Sequence, residues 1–204
     1  ILGGNVGDTF DVVVETGQLL VKNDIIDYED DTVQGRYELL VSATDEGGLD
    51  DTGSVIIIVE DVNEPPVCSD VAVTVNENSG EGAYITSLLA SDPDAPGQPA
   101  STLRYSIQSV IGTGVNYLTK ETSEVPFLHA TSSFFLDPDS GELDVGNLKL
   151  NFEGKYNNYY VTVEVSDKGD PSRQSHLTVR VMLADINEPP SLPDQHRTIL
   201  ENSP

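Results

Sequence analysis

An acidic hexapeptide that ends in two prolines occurs twice, and the spacing of its copies restricts the fold more than any other feature. Asp-Val-Asn-Glu-Pro-Pro at residues 61–66 recurs as Asp-Ile-Asn-Glu-Pro-Pro at residues 185–190, 124 positions later. Each copy follows an alternating apolar run, and two successive prolines cannot continue a ladder of backbone hydrogen bonds. Each copy therefore predicts a strand end that runs into a stiff linker.

Several other residues keep the same offset, which is typical of tandem domains. The matched pairs are Phe10 and Phe134, Gly17 and Gly141, Glu29 and Glu153, and Glu77 and Glu201. The repeat predicts the C-terminal half of one unit, a first linker, a complete repeat, a second linker and the first strand of a third unit. Their predicted bounds are residues 1–61, 62–66, 67–185, 186–190 and 191–204. We expect a fragment of a longer protein, whose half unit does not fold without its missing strands.

Apolar residues alternate with polar ones along many short segments, which predicts β-strands. The clearest alternating runs are residues 37–44, 71–75, 159–165 and 177–183. Residues 55–59 are apolar at every position, so both faces of that strand are expected to be covered. Turn-forming Gly, Pro and Asp separate the runs, and helical periodicity is scarce. The pattern predicts an all-β protein built of antiparallel β-sandwiches.

Two stretches outside the linkers are candidates for binding a partner. Residues 109–133 are the least regular part of the chain and exceed the usual length of a loop in a compact domain. They are interpreted either as an ordinary long connection or as a partner-binding loop. Leu143-Asp144-Val145 resembles a short integrin-binding tripeptide, but it lies inside a strand pattern, which favours a structural role.

The charge balance narrows the choice of partners. The chain has 10 Lys and Arg residues against 35 Asp and Glu residues, a formal charge of −25 at pH 7. Because no basic cluster is present, nucleic acid is not expected as a partner. A charge of this sign favours bound cations. The β-branched strand patterns argue against the disorder that a high charge can also indicate.

The cysteine count and the length of the apolar runs give only weak evidence about the cellular compartment of the protein. Cys68 is the single cysteine, so no disulfide can close within the chain. We expect a buried thiol there, and the alternative is a pairing partner elsewhere. No apolar run approaches about 18 residues, so no membrane span is expected within this sequence.

Acidic residues recur at strand ends, where an end-to-end junction of two sandwiches would bring them together. Seven carboxylates are expected at the first linker, from Asp27, Glu29, Asp61, Glu64, Asp92, Asp94 and Asp167. Two like charges about 4 Å apart repel by about 4 kcal/mol at an effective dielectric constant of about 20. Calcium accepts about six to eight oxygen ligands in flexible geometry, whereas magnesium binds few carboxylates. Zinc would need His or Cys at a ligand spacing that is absent here. A merely acidic linker remains the simpler alternative for one copy, and two copies in register favour calcium.

Five motifs in this order resemble those of the extracellular cadherin repeat, over essentially the whole chain. They are the two linker hexapeptides, Asn76-Glu77-Asn78, Asp92-Pro93-Asp94, Asp27-Tyr28-Glu29 and Ser166-Asp167-Lys168-Gly169. The resemblance implies tandem seven-stranded Greek-key β-sandwiches of cadherin type, joined end to end by calcium-binding linkers.

The resemblance also implies which residues hold calcium. At the first linker it adds the side chain of Asn63 and the backbone carbonyls of Val62, Pro65 and Ala100 to the seven carboxylates. At the second linker it implies the side chains of Glu77, Glu153, Asp185, Asn187 and Glu188, with the carbonyls of Ile186 and Pro189. Asn151 replaces the usual Asp and removes one charge, so weaker binding is expected at that position. Asp45 would face an upstream linker and Glu201 a downstream one.

The function implied by the resemblance is calcium-dependent cell–cell adhesion. The chain would be part of the extracellular ectodomain of a plasma-membrane protein, with its transmembrane segment outside this sequence. Its partners would be other cadherin-like ectodomains, bound homophilically or heterophilically. The alternative is a non-adhesive structural or mechanical filament of the same repeats. An enzyme is not expected, because no catalytic Ser–His–Asp or Cys–His set is arranged and the acidic residues all map to strand ends.

Overall fold

The structure is a computed structural model that describes most of the chain. The described residues are 1–22, 26–94, 96–115, 122–126, 133–190, 192, 194, 196, 198 and 201. The strand predicted over residues 191–204 therefore lies largely outside the described residues. No helix in the described ranges has the length and apolar character needed to cross a membrane.

The half unit contains two antiparallel pairs of strands after a short 3₁₀ turn at Val6–Asp8. Its strands are β1 (Phe10–Val13), β2 (Gln18–Val21), β3 (Arg36–Thr44) and β4 (Asp50–Ile58). Phe10 and Leu39 lie in its small core, and Gly3 forms an isolated bridge with Leu40 of β3.

The complete repeat is a sandwich of two main sheets. Its strands are β5 (Val67–Cys68), β6 (Val71–Asn76), β7 (Tyr84–Ser87), β8 (Ala90–Ser91), β9 (Arg104–Val115), β10 (Thr122–Pro126), β11 (Phe134–Leu136), β12 (Glu142–Val145), β13 (Asn158–Ser166) and β14 (Gln174–Ala184). One sheet has the order β10-β9-β13-β14-β6 and the other has the order β11-β12-β7. The short strands β5 and β8 pair with each other. Seven strands result when β5 with β6, and β7 with β8, are each taken as one interrupted strand, and β10 is additional.

The alternation in the sequence is what places the core of the complete repeat. Val161, Val163 and Val165 on β13 and Val179 and Val181 on β14 are all 0% exposed. Strand β13 pairs antiparallel with both β9 and β14, and β14 pairs parallel with β6. Because side chains alternate between faces, each of these strands buries one face against the second sheet. The predicted all-β sandwich is confirmed.

An aromatic contact occurs in both units between nearly matching positions, since Phe134 lies 124 positions after Phe10 and Tyr159 lies 122 positions after Tyr37. The rings of Phe10 and Tyr37 are 4.9 Å apart at 86°, and those of Phe134 and Tyr159 are 5.4 Å apart at 75°. Both pairs have the edge-to-face geometry that aromatic rings prefer. The tandem character of the sequence therefore extends to the packing of side chains.

The prediction that both faces of residues 55–59 are covered is wrong for the described residues. Ile57 and Val59 lie against the small core of the half unit, whereas Ile56 and Ile58 are 54% and 63% exposed. The reason is that β3 and β4 form a two-stranded sheet with only one face against that core. An apolar run by itself does not distinguish one covered face from two.

The irregular stretch predicted at residues 109–133 begins later than expected. Residues 109–115 belong to β9, and β10 pairs with that part of β9. Gly112 and Gly114 lie in this strand, and neighbouring atoms come too close to either position for a residue with a side chain. A Cβ would lie 2.7 Å from Tyr156 Cγ at Gly112 and 2.4 Å from the Lys155 carbonyl oxygen at Gly114. Residues 116–121 and 127–132 lie outside the described residues, so the partner-binding interpretation stays untested.

Candidate metal centres at the two linkers

The complete repeat carries acidic groups at both ends. Asp167 follows β13 at one end, and Asp185 follows β14 at the other. Strand β13 has nine residues, so these ends are about 30 Å apart. The end with Asp167 faces the first linker, and the end with Asp185 continues into the second linker.

Three carboxylates meet at the first linker. Glu29, Asp61 and Asp94 each place one oxygen within 4.8 Å of the other two. Asp61 follows β4 of the half unit, whereas Asp94 follows β8 of the complete repeat. The cluster therefore combines acids from both sides of the linker.

Local hydrogen bonds hold these acids in place. Asp27 Oδ1 accepts a bond of 2.9 Å from the Glu29 N–H, and Asp92 Oδ1 accepts a bond of 3.0 Å from the Asp94 N–H. Such Asx turns form because a short carboxylate reaches the backbone two residues on. The Glu64 N–H donates to Asp94 Oδ2 over 3.2 Å and so joins the linker to the complete repeat.

Asn63 connects the linker to the turn after β13. Its Nδ2 donates to Asp167 Oδ2 over 3.0 Å and to the Pro171 carbonyl over 2.9 Å. Asp167 is 4% exposed and also accepts N–H bonds from Gly169 and Arg173, at 2.9 and 3.0 Å. Burial alone would raise the pKa of Asp167, but these N–H bonds and the Asn63 amide lower it overall.

Gly169 permits the close approach of Asn63. A Cβ at residue 169 would lie 2.1 Å from Asn63 Oδ1 and 2.4 Å from its Cγ. We expect Gly169→Ala to displace the Asn63 side chain and to weaken calcium binding at the first linker by about tenfold. Gly53→Ala, where nothing lies within 4 Å, is the matched control. Calcium titration of both variants checks this, and equal affinities would contradict it.

A second group of three carboxylates lies before the second linker. Glu77, Glu153 and Asp185 also place one oxygen each within 4.8 Å of one another. Glu77 is 2% exposed, and it accepts N–H bonds from Ile186 at 2.8 Å and from Phe152 at 2.9 Å. These two bonds, the one from Ile186 first, lower the pKa of Glu77. The Glu77 carboxylate is therefore hydrogen-bonded to the first residue of the second linker.

The two groups share two positions and differ in the third. Glu153 and Asp185 lie 124 positions after Glu29 and Asp61. The third member is Asp94, from the repeat after the linker, in the first group, and it is Glu77, from the repeat before the linker, in the second. Each group thus contains a contribution that the other lacks.

Buried oxygen atoms without a hydrogen-bond partner gather at both linkers. Five of the atoms of this kind in the described part of the chain lie at the linkers: Glu29 Oε1, Asn63 Oδ1, Asp92 Oδ2, Asn78 Oδ1 and Asn151 Oδ1. A buried polar atom without a partner is costly, so each calls for a ligand. Carboxylate and amide oxygens are the ligands that calcium prefers. The residues present therefore fit a hard divalent cation.

The electrostatics point in the same direction. Burial, followed by the interaction with the Asp94 side chain, raises the pKa of Asp92 to about 6, although the Asp94 N–H opposes this shift. Burial also raises the pKa of Glu29 and of Glu64, with further contributions from neighbouring acids that include Asp61. Raised pKa values mean that burial, and after it the neighbouring negative charges, oppose full ionisation. A bound cation would remove that opposition.

The positions of the remaining predicted ligands give less information about metal binding. Val62, Pro65, Ile186, Asn187 and Pro189 are exposed in the linkers. Ala100 is half-buried in the turn beside Pro99, whose carbonyl accepts the Lys168 N–H at 3.2 Å. Asp45 is exposed in the turn after β3, at the opposite end of the half unit from Asp61, and belongs to neither group. The ligand roles of these residues stay predictions.

Sequence reasoning missed two residues of these sites. The sequence places Gly169 only within the Ser166-Asp167-Lys168-Gly169 motif, and its packing against Asn63 depends on the fold. Asn78 donates from Nδ2 to Glu188 Oε1 over 2.6 Å, and its backbone has a φ of 58°. Asn tolerates this left-handed conformation better than most residues, so an Asn directly after Glu77 was a usable signal.

Comparison with known proteins shows the same organisation. The family model described as "Cadherin domain" matches residues 71–184. Human protocadherin alpha-2 is 33% identical over 155 residues, which are 74% of this chain and 14% of that protein. Human protocadherin Fat 1 is 30% identical over 193 residues, which are 92% of this chain and 4% of that protein. The chain therefore spans only a small part of these relatives.

Solved structures agree on the fold. Human protocadherin-24 EC1-2 has a TM-score of 0.62 and 21% identity, and the match covers 91% of this chain and 80% of that one. Mouse cadherin-23 EC22-24 has a TM-score of 0.57 and 24% identity, and the match covers 89% and 51% of the two chains.

The fold and the acidic linkers define a protein of tandem β-sandwich repeats. The chain belongs to the cadherin family, a non-enzymatic family of adhesion-related proteins. It is thus a cadherin-like repeat segment of an extracellular ectodomain.

Proposed function

We propose that both linkers bind calcium and that calcium stiffens this part of the ectodomain for cell–cell adhesion. The observation that carries the proposal is the meeting of Glu29, Asp61 and Asp94 from two consecutive units within 4.8 Å. Without a cation these carboxylates repel, and the linker flexes. A cation shared by both units attracts them to one position and fixes the angle between the units.

The proposed ligands are those that the geometry gathers at each linker. Glu29, Asp61, Glu64, Asp92 and Asp94, with the Asn63 and Asp167 pair beside them, would hold calcium at the first linker. Glu77, Glu153 and Asp185 would do so at the second, where Asn78 and Asn151 each contribute an unpartnered oxygen. Asn151 brings no charge, so its position is expected to bind more weakly.

Calcium titration combined with thermal unfolding of the full chain tests the metal proposal. Calcium is expected to raise the Tm, because binding to the folded state at 100 times the Kd stabilises by about 2.7 kcal/mol. Asp94→Asn should weaken the binding at the first linker by about tenfold or more. Asp45→Asn makes the same chemical change at an exposed turn away from both groups and should leave it unchanged. A Tm that does not respond to calcium would overturn the proposal.

Protons are expected to compete with calcium at the first linker. Because the pKa of Asp92 is raised to about 6, this carboxylate is mostly ionised at pH 7.5 and mostly protonated at pH 5.5. Calcium binding requires the ionised form, so the affinity should fall by roughly fourfold over this range. Asp92→Asn should bind more weakly at pH 7.5 and lose most of this dependence. Calcium titrations of both proteins at the two pH values check this prediction. It would be contradicted if the affinity of the variant changed with pH as much as that of the wild type.

The partners proposed are other cadherin-like ectodomains, and anchoring to the plasma membrane is proposed through a segment outside this sequence. The alternative is a structural or mechanical filament of the same repeats. Aggregation of beads coated with the complete ectodomain, with calcium and with chelator, separates the two functions. Calcium-dependent aggregation supports adhesion. Calcium-dependent stiffening without aggregation supports the filament.

A further inference from the structure

The outer face of the three-stranded sheet presents an acid between two exposed aromatic rings. Asp144 of β12 lies directly opposite Phe135 of β11 on one side and Tyr84 of β7 on the other. Phe135 is 57% exposed and Tyr84 is 61% exposed. We refer to Tyr84, Asp144 and Phe135 as the Asp144 row.

The carboxylate at the centre of this row lacks a compensating group. Asp144 Oδ1 is buried, and within the described ranges it has no hydrogen-bond partner. Strands β7, β11 and β12 contain no Lys or Arg, and Glu142, which is exposed on the same strand as Asp144, adds a second negative charge. The row therefore combines a desolvated negative oxygen with two apolar surfaces, which is unfavourable in water.

The spacing of the row suits one kind of group. Neighbouring strands are about 4.8 Å apart, so the backbone of each aromatic residue lies about one strand spacing from that of Asp144. A guanidinium that donates one N–H group to the Asp144 carboxylate would then lie within about 6 Å of an aromatic face, the range of a cation–π interaction. A planar guanidinium also stacks on aromatic rings, whereas an ammonium cannot form both contacts in the same way.

We propose that the Asp144 row binds an arginine side chain on the basic surface of a protein partner. Charge complementarity favours such a partner, because the chain carries a formal charge of −25 and the row itself has no cation. Leu143 and Val145 are 0% and 1% exposed, so a partner does not read the Leu-Asp-Val tripeptide as a linear motif. Only Asp144 is presented. The site lies within one repeat and shares no residue with either carboxylate group, so it is independent of the calcium proposal.

Titration of the full chain with a capped Arg-Gly-Arg-Gly-Arg peptide tests the site. The titration is done at physiological salt with saturating calcium, and NMR follows the ring signals of Tyr84 and Phe135. Asp144→Asn and Glu142→Gln change the net charge equally on the same strand, so they form a matched pair. We expect Asp144→Asn to weaken peptide binding by about threefold or more and Glu142→Gln to weaken it by less than about twofold. Tyr84→Ala should act like Asp144→Asn.

Three outcomes would overturn the proposal. Equal effects of the two charge variants would show non-specific attraction to an acidic protein. Equal binding of the corresponding Lys-Gly-Lys-Gly-Lys peptide would remove the preference for a guanidinium. Ring signals that do not shift at peptide saturation would place binding elsewhere. The Tm of each variant is measured alongside as a control for folding. If Tyr84→Ala unfolds, the comparison of Asp144→Asn with Glu142→Gln and the comparison of the two peptides still test the proposal.

Discussion

Leu88→Ala is expected to destabilise the complete repeat by about 2–5 kcal/mol, the usual cost of removing a buried leucine side chain and leaving a cavity. Leu88 is 1% exposed and belongs to the main core, whereas the next residue, Leu89, is 84% exposed. Leu89→Ala removes the same atoms one position later and should change the free energy of unfolding by less than about 0.5 kcal/mol. The pair isolates burial from residue type.

Denaturant unfolding of the two leucine variants in chelator provides the measurement, so that calcium linkage does not enter. The slope of the free energy of unfolding against denaturant concentration should be the same in both variants, because neither greatly changes the surface that unfolding exposes. Similar losses of stability for Leu88→Ala and Leu89→Ala would show that the break between β7 and β8 is placed wrongly.

Glu77→Ala is expected to lower the Tm of the complete repeat by several degrees even in chelator. The change removes the acceptor of the Ile186 and Phe152 N–H groups, at 2.8 and 2.9 Å, inside a site where Glu77 is 2% exposed. Buried N–H groups without a partner cost stability. Glu77→Gln keeps one carbonyl acceptor and should lose less, and Glu81→Ala, at an exposed position nearby, should lose nothing measurable.

The pH dependence of this effect has a definite sign. The pKa of Glu77 in the folded protein lies below its ordinary value of 4.5, because the two N–H groups favour the ionised form. The stabilisation is therefore present above pH 4.5 and is lost as the pH falls from 4.5 through the lowered pKa. Thermal unfolding at pH 7 and at decreasing pH should show wild type and Glu77→Gln converging. A constant difference at every pH would argue against the two bonds.

Much of the fold follows from short-range patterns in the sequence. The period of two in residues 159–165 and 177–183 predicted the buried faces of β13 and β14, because side chains of a strand alternate between its faces. The same pattern could not separate Leu88 from Leu89, since β7 and β8 are interrupted between them. The irregular composition of residues 109–133 also suggested a long connection that includes residues 109–115, where the structure has a strand.

The candidate sites divide in a similar way. The recurrence of Glu29 and Asp61 as Glu153 and Asp185 was visible in the sequence, and so was the oxygen-rich composition that suits calcium. Which acid completes each group was not visible from spacing alone. Asp94 reaches the first group from 33 positions after Asp61, across the linker.

The all-β class, the tandem repeat and the acidic linkers could be predicted from the residues alone, because they depend on local periodicity, turn residues and charge. The folded structure was needed to show that Asn63 packs against Gly169, that Glu77 accepts two N–H bonds, and that Asp144 lies between Tyr84 and Phe135. These contacts join residues from different strands and turns. They arise from strand register and sheet packing, which are set by the burial of the whole core and not by any one segment.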